Sequence, residues 1–142
     1  MKFDTIMKIY VASSWRNNIQ PVIVDFLRER GYEVYDFKNP PERAGFGWEQ
    51  IAADWPEWDT GRYKDALEHP IAIEGFESDF NAMKEADACV LILPCGRSAH
   101  TEAGWMKGAG KKVIVYQITR EEPELMYKLY DGIAQSGAEL IE

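Results

Sequence analysis

The spacing of apolar positions changes along the chain in a way that names its elements. "KIYVAS" (8–13) reads as a strand, and "NIQPVIVDFLRERG" then shifts to helical spacing, with Ile19, Val22, Ile23, Phe26 and Leu27 on one face. Asn18 is placed to cap that helix, Pro21 fits its first turn and Gly31 suits its stop. "YEVYDF" (32–37) returns to strand character. After a long interruption, a helix over 69–86 carries Ile73, Phe76, Phe80 and Met83 in one stripe. "ACVLILP" (88–94) is apolar without a break, as a central parallel strand covered on both faces must be. A helix over 98–110, a strand over 112–118, a helix over 122–130 and a short fifth strand in "AELIE" complete the pattern.

Strands alternating with helices predict an α/β fold: a single domain over 1–142, built as a three-layer sandwich on a parallel sheet of four to five strands. The common doubly wound order, 2-1-3-4(-5), places the carboxyl ends of the first and third strands beside a crevice where ligands bind. Two polar loops then face each other there, "SSWRNN" (13–18) and "PCGRSAH" (94–100). The interruption over 38–62 breaks the alternation with Pro40, Pro41, Pro56, Trp48, Trp55 and Trp58. Such a segment is either an aromatic lid that stacks on a flat ligand or an anchor onto the core or a second subunit.

Composition narrows the partners. An apolar fraction of 46% and a charged fraction of 28% are those of a soluble globular protein. The formal charge of −8 excludes general affinity for a nucleic-acid backbone, whereas a small anion needs only one or two arginines. No apolar run approaches the roughly 20 residues of a membrane span, and polar residues break the amino-terminal stretch where a secretion signal needs a continuous apolar core. These features predict a cytoplasmic protein. Cys89 and Cys95, with only His69 and His100 to complement them, read as reduced structural thiols, and no metal is expected. Neither a Walker loop nor a G-x-G-x-x-G turn is present, so no cofactor is expected either.

Two carboxylates stand where apolar residues belong. Asp79 shares the stripe of Phe76 and Met83, and Glu102 lies three and four residues before Trp105 and Met106 on the face that packs against the sheet. A buried polar group without a partner costs about 2 to 7 kcal/mol, so each needs a pairing or a role. Glu102 in the first helical turn would be kept ionised by the helix dipole, fit to attack or stabilise a cationic sugar, with Asp79 handling a proton at the leaving group. The structural alternative is a dipole complement and an ion pair. Arg16 and Arg97 can each grip an anion, and Ser13, Ser14 and Ser98 can bond a sugar or phosphate, although Ser98 also suits a helix cap. His100 is an acid or base, or part of the turn.

"YVASSWR", "ESDFNAMKEADACVLI" and "EAGWMKGAGKKVIVY" together resemble the nucleoside 2-deoxyribosyltransferase superfamily, which includes deoxynucleoside 5′-monophosphate N-glycosidases. The resemblance covers roughly residues 8–118 and implies a flavodoxin-like fold. It implies that Glu102, in the E-x-G motif with Gly104, is the nucleophile and that Asp79 completes the catalytic pair. It further implies that Ser14 and Arg16, within the Ser13-Ser14-Trp15-Arg16 turn, hold a 5′-phosphate, and that the chain forms a homo-oligomer acting on a nucleoside or nucleotide. Transferases of the family place an Asp six residues before the nucleophile, where this chain has Gly96; Arg97 in the same turn fits a hydrolase of charged nucleotides better. The alternatives are a nucleotide-binding or sensing module without chemistry, and an interaction domain associating through the Trp-rich segment.

Overall fold

A computed structural model describes residues 7–141. Five parallel strands, β1 (Lys8–Ala12), β2 (Glu33–Asp36), β3 (Ala88–Ile92), β4 (Lys112–Tyr116) and β5 (Gly132–Ala134), form one sheet in the order β2-β1-β3-β4-β5. The doubly wound order predicted from the alternation is the one observed.

Strand alternation splits the core in two. Ile9, Val11, Val34, Val90 and Ile114 point to one face, where α1 (Gln20–Glu29) and the terminal α5 (Gly137–Ile141) cover them with Ile23, Val24, Leu27 and Leu140. Tyr10, Ala12, Cys89, Leu91 and Val113 point to the other, beneath Met83 of α3 (Pro70–Glu85) and Ala99, Ala103 and Met106 of α4 (Arg97–Gly108). The parity of β1 thus sends Tyr10 toward α3 and α4 and sends its neighbours away.

Several local expectations are corrected. Asn17, not Asn18, caps α1: its Oδ1 accepts from the backbone N–H groups of Ile19 at 2.8 Å and Gln20 at 3.0 Å. Val22 points to solvent, and buried Gln20 bonds Asp36 across to β2 at 2.8 Å instead. Strand β4 stops at Tyr116, short of 118. The segment 122–130 holds only a 3-10 turn (Leu125–Leu129), because Pro123 lacks a donor and disfavours helical geometry before it. Residues 138–141 of the "AELIE" segment are helical rather than extended, and Glu142 lies outside the described residues. Ser136 Oγ accepts from the Glu139 N–H at 3.3 Å while the Glu139 carboxylate accepts from the Gln135 N–H at 3.0 Å, a reciprocal cap that starts α5.

The 38–62 segment is more ordered than its composition suggests. Two 3-10 turns (Trp48–Gln50 and Trp55–Glu57) lead into α2 (Thr60–Leu67), whose first turn is capped by Asp59 accepting from the Arg62 N–H at 2.9 Å. Arg62 clamps Asp54 through two bonds of 2.9 and 3.1 Å, fastening α2 to the turn before it. Phe46 lies against Gly75 of α3, where a Cβ would meet its ring at 3.0 to 3.1 Å. At the other end, the Trp15 ring sits over Gly45 and meets Phe37 edge-on at 5.6 Å. No helix among the described residues is long and apolar enough to cross a membrane.

Candidate active site

Tyr10 and Tyr35 are register partners on β1 and β2, and their rings stack with centroids 5.3 Å apart. From that shared platform each hydroxyl reaches a different acid. Tyr10 donates to Glu102 Oε2 at 2.6 Å, and Tyr35 donates to Asp79 Oδ1 at 2.8 Å while also meeting Ser78 Oγ at 2.8 Å. Glu102 comes from α4 and Asp79 from α3, so four elements converge on two carboxylates.

The electrostatics follow from this enclosure. Burial pushes the Glu102 carboxyl up to about 7; the Tyr10 hydrogen bond opposes the rise, and the nearby Asp79 charge adds to it. Burial also raises Asp79, against the Tyr35 hydrogen bond and the Arg43 guanidinium, which favour its ionised form. Burial, with the Glu102 and Asp79 charges, drives the Tyr10 hydroxyl far above its ordinary range, so it stays protonated and keeps donating. Glu102 is the sixth residue of α4, in its second turn, and the dipole effect expected of a first-turn position has faded there. Desolvation dominates, and the sign of the predicted shift is reversed.

Both acids line one cavity of about 1120 Å³. Phe80 and Trp105 meet edge-on at 4.9 Å beside the acids, and Phe76 stacks on Phe80 at 5.3 Å. The opposite wall comes from the 38–62 segment and α2: Trp48 is met edge-on by Phe46 at 4.8 Å, by Trp58 at 5.8 Å and by Tyr63 at 5.9 Å. The stripe of Ile73, Phe76 and Phe80 therefore lines this cavity, and of the four stripe residues Met83 is the one buried in the core; Ile73 is 37% exposed and Phe76 64%.

Among the other residues singled out from sequence, Arg97 and Ser98 line the cavity with the two acids. Ser98 does not cap α4; the N-cap is Gly96, with extended backbone and no side chain to contribute. The first loop lies beside the cavity rather than in its wall. Ser13 Oγ donates to the Ile92 carbonyl at 2.9 Å, and Asn17 Nδ2 donates to the Pro94 carbonyl at 3.1 Å, tying the loops after β1 and β3 together at the switch point. Ser14 Oγ accepts from the Arg16 N–H at 3.2 Å; the Arg16 side chain and Trp15 are exposed. His100 lies outside the lining residues. Its Nδ1 bonds the Gly96 carbonyl at 2.8 Å, and its Nε2 shares a hydrogen bond with the Tyr127 hydroxyl at 2.7 Å. Cys95 is near His100, but burial and the Glu102 charge push its thiol up to about 12, far from a reactive thiolate. Tyr10, Tyr35 and Arg43 are the site residues that spacing does not reveal, because their partners lie far away in sequence.

The sheet order and crossovers define a flavodoxin-like α/β sandwich with its crevice at the β1/β3 switch point. Two solved structures share it. The chain is 21% identical to the 2-deoxyribosyltransferase of Bacillus psychrosaccharolyticus, covering 93% of this chain and 88% of that one with a TM-score of 0.64. It is 19% identical to the CMP N-glycosidase BcmB of Clostridium botulinum, covering 93% of each chain with a TM-score of 0.52. No family model matches the sequence, and no curated protein matches it. At these identities the likeness is one of fold.

Proposed function

We propose that this protein breaks an N-glycosidic bond of a nucleoside or nucleotide, by hydrolysis or by 2-deoxyribosyl transfer, with Glu102 as nucleophile. The observation that carries the reading is the convergence of Glu102 and Asp79 on one cavity, each carboxylate held by its own tyrosine hydroxyl. The fold shared with a 2-deoxyribosyltransferase and a CMP N-glycosidase supports it.

In the first step the ionised Glu102 attacks C1′ as the C1′–N bond opens and its electron pair leaves with the base. Asp79 supplies the proton that neutralises the departing nitrogen. Water, or the nitrogen of a second base, then attacks C1′ and releases the Glu102 ester, and the displaced proton returns to the acid pair. Tyr10 holds the attacking oxygen throughout, and Tyr35 with Ser78 fixes Asp79. Arg97 and Ser98 grip the polar end of the substrate from α4, with Ser14 and Arg16 reaching in from the neighbouring loop. Gly96, Ser13, Trp15 and His100 shape and brace the turns that carry them.

The same reading makes the protein a cytoplasmic homo-oligomer that acts on small molecules without a cofactor. Sedimentation of the purified chain tests the assembly. The activity is tested by chromatographic detection of free base from a panel of nucleosides and their 5′-monophosphates, with and without an acceptor base. Base release without acceptor identifies a hydrolase, and release only with acceptor identifies a transferase. Stabilisation by nucleotides with no release under either condition would instead favour the sensing module, to which the missing Asp at Gly96 lends weight.

A further inference from the structure

The cavity is longer than the acid pair needs. Its lining positions on α3 run from Ala72 to Met83, and at about 1.5 Å per residue the stretch from Asp79 back to Ala72 adds about 10 Å of groove beyond the carboxylates. Trp48, Trp58 and Tyr63 line the same cavity as Ile73 and Phe76, and Phe46, edge-on to Trp48, lies against Gly75 on that stretch of α3, the distal arm. The full volume of about 1120 Å³ exceeds the ordinary range of about 300 to 1000 Å³ for small-molecule sites.

The charge distribution says what the arm accepts. Among the described residues that line the cavity Arg97 is the only cation, at the α4 end beside Glu102, and the further positive charge at the site, Arg43, acts on Asp79 and Tyr35 at the acid pair. Arg62 lies near the Trp58 ring, but its guanidinium is clamped by Asp54. The ionisable group lining the far end is Glu68 of the α2–α3 junction. An anionic extension such as a second phosphate finds no partner there, whereas a flat uncharged group meets aromatic faces and edges on both sides.

We propose that the distal arm is a leaving-group subsite, and that the substrate carries a base extended by a bulky, uncharged aromatic or apolar substituent. This rests on the N-glycosidic reading above and adds the substrate class. The segment 38–62 with α2 is then the specificity element, held in place by Phe46 on Gly75 and by Trp15 on Gly45.

Binding separates the two claims, because it is read without turnover. Calorimetry with the Glu102→Gln protein compares adenosine with adenosine carrying a benzyl group on its exocyclic nitrogen. The benzylated compound is expected to bind about tenfold more tightly, the gain of one added aromatic contact. Trp48→Ala should reduce that preference to about twofold or less. Tyr63→Ala, on an exposed helical position, is the second variant, since Trp48→Ala also removes a packing contact within the segment. Equal affinities in the parent, no binding of either compound, or a preference that survives both variants would overturn the subsite. So would a Trp48→Ala protein that loses self-association and keeps the preference, which would make the wall an interface between copies. Failure of base release with a preserved tenfold preference would sink the catalytic reading and leave the subsite standing.

Discussion

Tyr10 and Tyr35 stack on adjacent strands with ring centroids 5.3 Å apart, yet their hydroxyls serve different acids, Glu102 at 2.6 Å and Asp79 at 2.8 Å. The pairing makes the two carboxylates one electrostatic unit. The Asp79 charge is felt at Glu102, where it adds to the rise that burial imposes.

The pH dependence of kcat/KM should show this coupling. Activity rises with pH as Glu102 ionises, with an apparent midpoint of about 7. Asp79→Asn removes the charge that Asp79, when ionised, sets against Glu102, so the small rate left without this proton donor should have its rising limb at lower pH. Tyr10→Phe removes a hydrogen bond to the charged form worth about 1.5 to 3 kcal/mol, which moves the limb up by roughly one to two pH units. A limb unmoved by either substitution would mean that Glu102 does not set it.

Stability should respond in the opposite sense from an ordinary salt-bridged acid. The folded value of about 7 lies above the 4.5 of a free Glu, so the protonated form favours folding. That contribution is complete below about pH 4.5 and is lost as pH rises through 7. Glu102→Gln, which mimics the protonated state and keeps an acceptor for Tyr10, should match wild type in acid and exceed it by up to about 3 kcal/mol at pH 8. Urea melts at several pH values read the difference; a Gln variant less stable than wild type at pH 8 would contradict it.

Gly75→Ala sets two effects against each other. The added methyl favours the α3 helix by about 1 kcal/mol, but its Cβ would lie 3.0 to 3.1 Å from the Phe46 ring and Cβ, and such overpacking costs about 1 to 3 kcal/mol. Global stability should fall by about 2 kcal/mol or less, while the 38–59 segment lifts locally. Limited proteolysis should cut that segment faster than in wild type, and an unchanged digestion rate would show that Phe46 does not anchor it.

Gly96→Asp should be tolerated. A Cβ there meets nothing within 4 Å, and the N-cap backbone is extended, as a capping Asp requires. The melting temperature should stay level or rise by the equivalent of a few tenths of a kcal/mol. A marked drop would show that the turn before α4 is tighter than its geometry indicates.

Much of this was legible in the chain. The unbroken apolar run at β3 and the alternation of periods set the sheet order, and helical phase singled out Asp79 and Glu102. Phase alone puts Ile73 and Phe76 in one apolar stripe with Met83 but does not say what lies opposite it, which is a cavity wall at Ile73 and Phe76 and core at Met83. Helix α2, "TGRYKDAL", stayed hidden because it is mostly polar and held by Asp59 and by the Arg62 clamp on Asp54. Tyr10 and Tyr35 look like ordinary strand residues, since their acids come from α4 and α3 and only the tertiary register brings them together.

The central claim stands on base release by Glu102→Gln measured against wild type on the best nucleoside or nucleotide substrate. The pair predicts a loss of at least about a thousandfold in rate with the fold intact by circular dichroism. A Glu102→Gln protein that releases base at the wild-type rate would contradict it.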